Sequence, residues 1–460
     1  MWLMDALKKV FSKGLKILDF SKFEKGKRIQ FILNIAAGLF IVFIMHGLES
    51  TRWGEGLLNS AFDRFIISEA KEAAITNEDP GELLLLDIGY NEKNEIKKDE
   101  DEKTNFLSPR DTIAALLKMA FTGDASVVVL DYAFEENDCC HPERDDRLRK
   151  VLAENTNQRT KVIFPVRVGK DEKIQKLIFD KEIDQNPNYS RAIATLYASQ
   201  DDAVVRHWKV FQEYGDKDKK ILWSIPVLSL ALLNGKEKDL KNLEALMIQR
   251  DKKIDVYSLP IDTAGEKKKL LLPLRETDLY RQRIRFRLIP KDCITDSAEG
   301  NIRVITTENL TSDRFKDKIV IIGNSDSEVG DVLSTPIGDM AGMYIHANAI
   351  HTLLKGYQPK PPPWWVSFLI NLFIIIGAAY LFQYTETFWM DFLVMIIGIF
   401  GFGLIGYYVF FKNFGIVPNF VFGIAAIGYI EIMNSLKDVL TKNKQHSGSI
   451  KTTHAGKKRR

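Results

Sequence analysis

Cysteine is scarce in this 460-residue chain. Only Cys139, Cys140 and Cys293 occur, and no CxxC spacing exists. That excludes a disulfide framework and a thiolate zinc site. One bridge from Cys139 or Cys140 to Cys293 stays open if the region is exported. The chain also lacks a GxxxxGK[ST] phosphate loop and a GxSxG nucleophile elbow, and no GxGxxG lies near the strand-ending Ile322-Gly323-Asn324-Ser325-Asp326. No nucleotide-cradling loop or serine-hydrolase site is therefore expected, and no cofactor. Strong net charge is missing too, at +3 overall, and no aromatic-and-basic surface suggests nucleic acid. A disordered chain is excluded by 28 Phe, 14 Tyr and 7 Trp.

The charge that is present is unevenly placed. Residues 1–30 hold eight Lys/Arg against three Asp/Glu, and residues 437–460 hold eight against one. Between them lie stretches with no charge at all. Ile29–Leu48 is one, and a helix of that length rises about 30 Å, the thickness of a hydrocarbon core. The long basic lead and the missing small-x-small site predict a retained helix rather than a cleaved signal. Three more charge-free stretches follow residue 363, with Trp364, Trp365, Tyr384 and Trp389 near their boundaries. The pattern predicts a basic cytoplasmic segment 1–28, membrane helices over 29–48, 364–385, 390–411 and 414–433, and a basic cytoplasmic tail 434–460. The positive-inside rule puts both termini in the cytoplasm and residues 49–363 outside a bacterial inner membrane. The lipid bilayer is then the first expected partner.

Residues 49–363 alternate strand and helix. Glu82–Gly89 is a short apolar run, Ser108-Pro109-Arg110-Asp111 opens a helix, and Ala125–Leu130 is the next strand. A helix over Asp145–Asn155 and a strand over Lys161–Val168 repeat the unit, and Lys318–Gly323 is a later strand. Alternation of this kind implies an α/β domain with a mostly parallel or mixed sheet. Tyr90–Thr104 reads as a charged, solvated loop, and Gly235–Lys253 as a charged helix. Arg281, Arg283, Arg285 and Arg287 alternate with Gln282, Ile284, Phe286 and Leu288. Period two reads as a half-buried strand whose basic face meets either solvent or an anion.

Asp87 and Asp131 both end apolar strands. In parallel sheets such ends converge where ligands bind. Two close carboxylates would hold a hard divalent cation or drive each other's pKa apart. The alternative is that each caps a turn through its side chain. His346 and His351 are five apart and do not share a helix face, so a histidine metal pair is not expected. His346 fits a hydrogen bond at a helix start, near Asn348.

Several of these segments carry a resemblance. Leu86-Asp87-Ile88 is one match. Ser108-Pro109-Arg110 with Val127–Phe134, and Asp145 with Leu148, is a second. The third is Phe315–Gly323 followed by Asp331, Thr335-Pro336, Gly342 and Ile345-His346-Ala347-Asn348. Together with one charge-free stretch before and three after, they resemble the CHASE2 family of extracytoplasmic sensory domains. The resemblance implies a membrane-anchored, non-enzymatic sensor, and it adds Arg110, Asp331, His346 and Asn348 to Asp87 and Asp131 as candidate ligand-binding residues. Relatives usually carry Trp-Pro-Trp-Pro-Arg where this chain keeps only Leu107-Ser108-Pro109-Arg110, and the segment after Asp87 also departs. Family members normally feed an output domain. Residues 437–460 are too few for one, so a signalling or assembly partner, in the membrane or the cytoplasm, is expected. A small ligand and a homodimer are also expected. A structural subunit of an envelope complex is the competing expectation.

Overall fold

The computed structural model describes residues 25–381 apart from 49–51, 77–80, 89–109, 136–141, 249–255, 275–281, 291–309, 326–330, 359–363 and a few shorter gaps, together with Tyr408 and Phe411. In chain order the elements begin with α1 (Lys25–Leu48) and α2 (Arg52–Thr76). Then come β1 (Leu83–Asp87), α3 (Arg110–Thr122), β2 (Val127–Leu130), α4 (Pro142–Glu154), β3 (Lys161–Val166), α5 (Asp180–Gln185) and β4 (Tyr189–Ile193). Short strands follow: β5 (Leu196–Ala198), β6 (Val205–Trp208), β7 (Phe211–Tyr214) and β8 (Lys220–Trp223). Helices α6 (Ile225–Leu233) and α7 (Glu237–Ile248) precede β9 (Val256–Thr263) and β10 (Glu266–Pro273). A 3-10 turn at Ser312–Phe315 leads into β11 (Ile319–Gly323), β12 (Val332–Thr335), β13 (Gly338–Ala341), α8 (Gly342–Leu354) and α9 (Trp364–Leu381).

The chain divides into two compact units, Asp63–Pro359 and Met1–Phe62 with Lys360–Arg460. The first is built on a five-stranded sheet in the order β1-β11-β2-β3-β4, parallel at every pairing. Its strands are short β-branched and Leu runs, and Val127-Val128-Val129-Leu130 and Ile319-Val320-Ile321-Ile322-Gly323 are buried along their whole length. Such runs belong to central strands covered on both faces. One face, from Leu84, Leu86, Val128, Leu130, Val162, Phe164, Val320 and Ile322, shares a core with α3, α4 and the side chains of Phe134, Phe179 and Phe315. The alternate residues face the other way, toward α6 and α8. β5–β6, β7–β8, β9–β10 and β12–β13 are separate antiparallel pairs.

The arginine run is not the strand face expected of it. Arg283 and Arg285 are buried, as are Ile284, Phe286 and Leu288 between and beside them. The segment makes one isolated bridge, Arg283 to His207 on β6. Its cations meet acids of α2 rather than solvent or a free anion. Glu69 takes Arg285 Nε at 2.7 Å and Arg287 Nη1 at 2.7 Å. Asp63 pairs with Arg206 at 2.7 Å and lies 3.8 Å from Arg283. The guanidinium groups of Arg285 and Arg287 also lie 4.7 and 4.9 Å from the Tyr357 ring centroid. Arg281 lies outside the described residues.

In the other unit, α1 and α9 pack together at Gly38, where an added Cβ would fall 2.7 Å from Ile375 Cγ2. The Phe62 and Phe411 rings meet edge-on at 6.3 Å.

The expected four membrane helices require correction. Among the described residues no helix is long and apolar enough to cross a membrane. Helix α9 has 18 residues, a rise of about 27 Å against a core of roughly 30 Å. The expected helices 390–411 and 414–433 lie outside the described residues, save Tyr408 and Phe411. Membrane anchoring, the bilayer as partner, the inner-membrane placement and the cytoplasmic termini all rested on those four helices, and none is supported. The basic segments 1–24 and 437–460, the three cysteines, Tyr90–Thr104 and the proposed cap Ser108 also lie outside the described residues.

Candidate functional site

The alternation of strand side chains places three residues in one row at the carboxyl edge of the sheet. Asp87 pairs with Gly323 in the β1–β11 register, and Asp131 donates its N–H to Ile322 O at 2.8 Å. Each shares its parity with the strand residues that face α6 and α8. β11, the last strand of this sheet in sequence, lies between β1 and β2, so the two aspartates are separated by two strand spacings, about 10 Å. The middle position is glycine because α8 rests on it. A Cβ on Gly323 would lie 2.9 Å from Met343 Cβ and 3.3 Å from Asp131 Cβ. Gly323→Ala should therefore cost about 1–3 kcal/mol of unfolding free energy through overpacking, read as a lower denaturant midpoint at unchanged slope.

Asp87 is committed to the fold. Its Oδ1 accepts Ser325 N–H at 3.0 Å and its Oδ2 accepts the Tyr344 hydroxyl at 2.6 Å. It anchors the turn after β11. Arg110, at the start of α3, is buried and ion-paired with Asp145 of α4. Asn348 is fully buried with all its hydrogen-bonding capacity used. Its Oδ1 accepts the N–H groups of Arg287 and Leu288 at 2.9 and 2.8 Å, and its Nδ2 donates to Leu288 O and Tyr344 O at 2.7 and 2.9 Å. Three of the six candidates from sequence are thus structural anchors in this geometry.

The other three come together. Asp131 follows β2, and its side chain accepts no hydrogen bond from any described residue. Asp331 lies at the start of α8, where its Oδ2 would be 2.2 Å from a Cβ on Gly342. That close approach is why glycine opens the helix. His346 sits one turn further along α8 at 3% exposure, and its Nδ1 has no hydrogen-bond partner among the described residues. The electrostatics join them. Burial pushes the Asp131 carboxyl up to about 6. Asp331 is raised by burial and then by Asp131, while His346 and Arg167 pull it back. Burial pushes the His346 imidazole down to about 4, against the attraction of Asp331, so it is neutral at pH 7. Arg167, just past the end of β3, was missed from sequence. The only signal was its place immediately after an apolar strand, which Asp87 and Asp131 share. Among the described residues no group of three or more His, Cys, Asp or Glu could hold a metal ion.

Asp131 should weaken the protein at neutral pH. An acid whose folded pKa is raised binds its proton more readily when folded, so stability declines as pH rises from about 4 through about 6. The neutral Asp131→Asn should be about 1–2 kcal/mol more stable than wild type at pH 8 and equal to it near pH 4. His346 is common to both proteins, so the difference between their denaturation curves reports Asp131 together with the relief of Asp331, whose pKa Asp131 raises. Equal stability at pH 8 would refute the shift.

These features define a parallel α/β domain with unused polar groups at the carboxyl edge of its central strands. The model of the CHASE2 domain matches residues 36–382, and the chain belongs to that family. CHASE2 domains are sensory and not catalytic, and this protein is accordingly not an enzyme. No curated protein and no solved structure matches the chain. The family supplies the sensory role alone. The membrane-anchored form of it expected from sequence lacks a membrane-crossing helix among the described residues.

Proposed function

We propose that this protein senses a small molecule, received at the carboxyl edge of the sheet by Asp131 together with Asp331 and His346. One observation carries the reading. A carboxylate held against its own stability, with no hydrogen bond from any described residue, stands where parallel sheets present their ligand-binding groups. The neighbouring His346 Nδ1 is buried without a partner among the described residues. An unpaired buried polar group costs about 1–3 kcal/mol, so a ligand that satisfies it gains that amount on binding. Asp87, Arg110 and Asn348 shape the surroundings and do not touch the ligand.

The test is a thermal-shift screen of the full chain against a small-molecule set. A ligand bound by these groups should raise the wild-type melting temperature. It should lose at least about tenfold in affinity on Asp131→Asn, or 1.4 kcal/mol. His346→Gln should weaken it similarly. A set in which every binder treats wild type and both variants alike overturns the reading.

A further inference from the structure

We infer that the ligand of this site is an organic cation, a small molecule whose positive charge is spread over several N–H groups, as in an amine, amidine or guanidine. The inference rests on the reading of Asp131, Asp331 and His346 as the sensory site, and it adds the chemistry they select.

The residues offer acceptors. Asp131 has a carboxylate that no described residue hydrogen-bonds, and Asp331 presents a second across the start of α8. His346 is neutral, so one ring nitrogen is an acceptor, and its Nδ1 is a buried atom without a partner among the described residues. Among the described residues Arg167 is the one permanent cation acting on this group, and it acts on Asp331. Two carboxylates against one guanidinium leave the site negative once both acids ionise. The pattern asks for a positively charged donor.

Size then decides between kinds of cation. A metal ion needs its ligands gathered within about 2–2.6 Å of one point, and the described side chains are not gathered that closely. A molecular cation does not need this. Its N–H groups are distributed, so one end can reach Asp131 while another reaches Asp331 or His346 Nδ1. Met343 presses on Gly323 beside Asp131, so its methyl group is placed to report on a ligand held there.

The full chain labelled at its methionine methyl groups provides the test. Met343→Leu identifies the Met343 resonance, which reports on the site directly. Agmatine and putrescine are titrated as cations, butyramide as a neutral probe and succinate as an anionic one. The expected result is a saturable shift of the Met343 methyl with a cation, weakened at least tenfold by Asp131→Asn, and none with butyramide or succinate. A shift from succinate or butyramide but from neither cation overturns the cation inference and leaves the sensory site standing. A cation shift unchanged by Asp131→Asn also overturns it, because the cation then binds elsewhere. Silence from all four probes overturns the inference, and silence across a wider compound set removes the sensory site as well.

Discussion

Glu69→Ala should lower the unfolding free energy by about 3–5 kcal/mol, the loss typical of breaking a buried ion pair on one side. Glu69 is 5% exposed and lies on α2. Its Oε2 takes Arg285 Nε at 2.7 Å, and its Oε1 takes Arg285 Nη2 and, at 2.7 Å, Arg287 Nη1. One carboxylate thus serves two guanidinium groups. Removing it takes the acceptor from Arg285, whose side chain is only 4% exposed and so largely shielded from solvent. Arg287, at 19%, recovers part of its solvation. Glu69→Gln keeps one acceptor oxygen and should lose less than Glu69→Ala. A chemical denaturation series on the three proteins orders them as wild type, Gln, Ala. Near-equal stability of wild type and Ala would mean that the arginines find other partners. Asp63→Ala should be milder, because Asp202 also pairs with Arg206, at 2.6 Å.

The strands of the sheet were legible because each is a short apolar run with a clean end. Leu83–Asp87, Val127–Leu130 and Ile319–Gly323 sit within a few residues of where the pattern put them. Their spatial order was not legible. β11 enters between β1 and β2 from nearly two hundred residues away, and nothing local in Lys318–Gly323 says so. That insertion is what separates Asp87 from Asp131 and turns an expected carboxylate pair into a turn anchor and a free acid. Asp331 and His346 could be named from the resemblance, but their meeting with Asp131 depends on Gly323 and Gly342 letting α8 come close. The arginine run misled for a related reason. Period two reported correctly that alternate residues differ in environment. It could not report that acids on α2, over two hundred residues earlier, would cover the basic side chains. The membrane expectation failed on a different ground. Charge-free composition was read as span length, whereas among the described residues no helix is both long and apolar enough.

Asn348→Ala should be the second severe substitution, at about 3 kcal/mol or more. Asn348 is fully buried on α8 and joins that helix to the irregular segment at 285–288. That segment is not part of the sheet, so its backbone groups have no ladder to satisfy them. The Asn348 side chain does the work of a missing strand. It accepts from two successive N–H groups, Arg287 and Leu288, and donates to Leu288 O. Thr352, one turn on, adds a bond from Arg285 N–H at 3.0 Å. Alanine leaves two buried donors and an acceptor unpaired and opens a small void. Asn348→Asp is the informative contrast. It keeps both acceptor bonds, loses the donors to Leu288 O and Tyr344 O and places a carboxylate oxygen against those carbonyls at neutral pH. Asp should therefore be destabilised at pH 7 and recover partly toward pH 4, when the protonated acid can donate again. Ala should show no such recovery relative to wild type. Denaturant melts at the two pH values read both effects. If Asp and Ala lose the same amount at both, the side-chain amide is not what holds 285–288 in place. Because Arg285 and Arg287 lie within that segment, Asn348→Ala and Glu69→Ala should also be non-additive. The double variant should lose less than the sum of the two, since freeing the segment from α8 already displaces the arginines from Glu69.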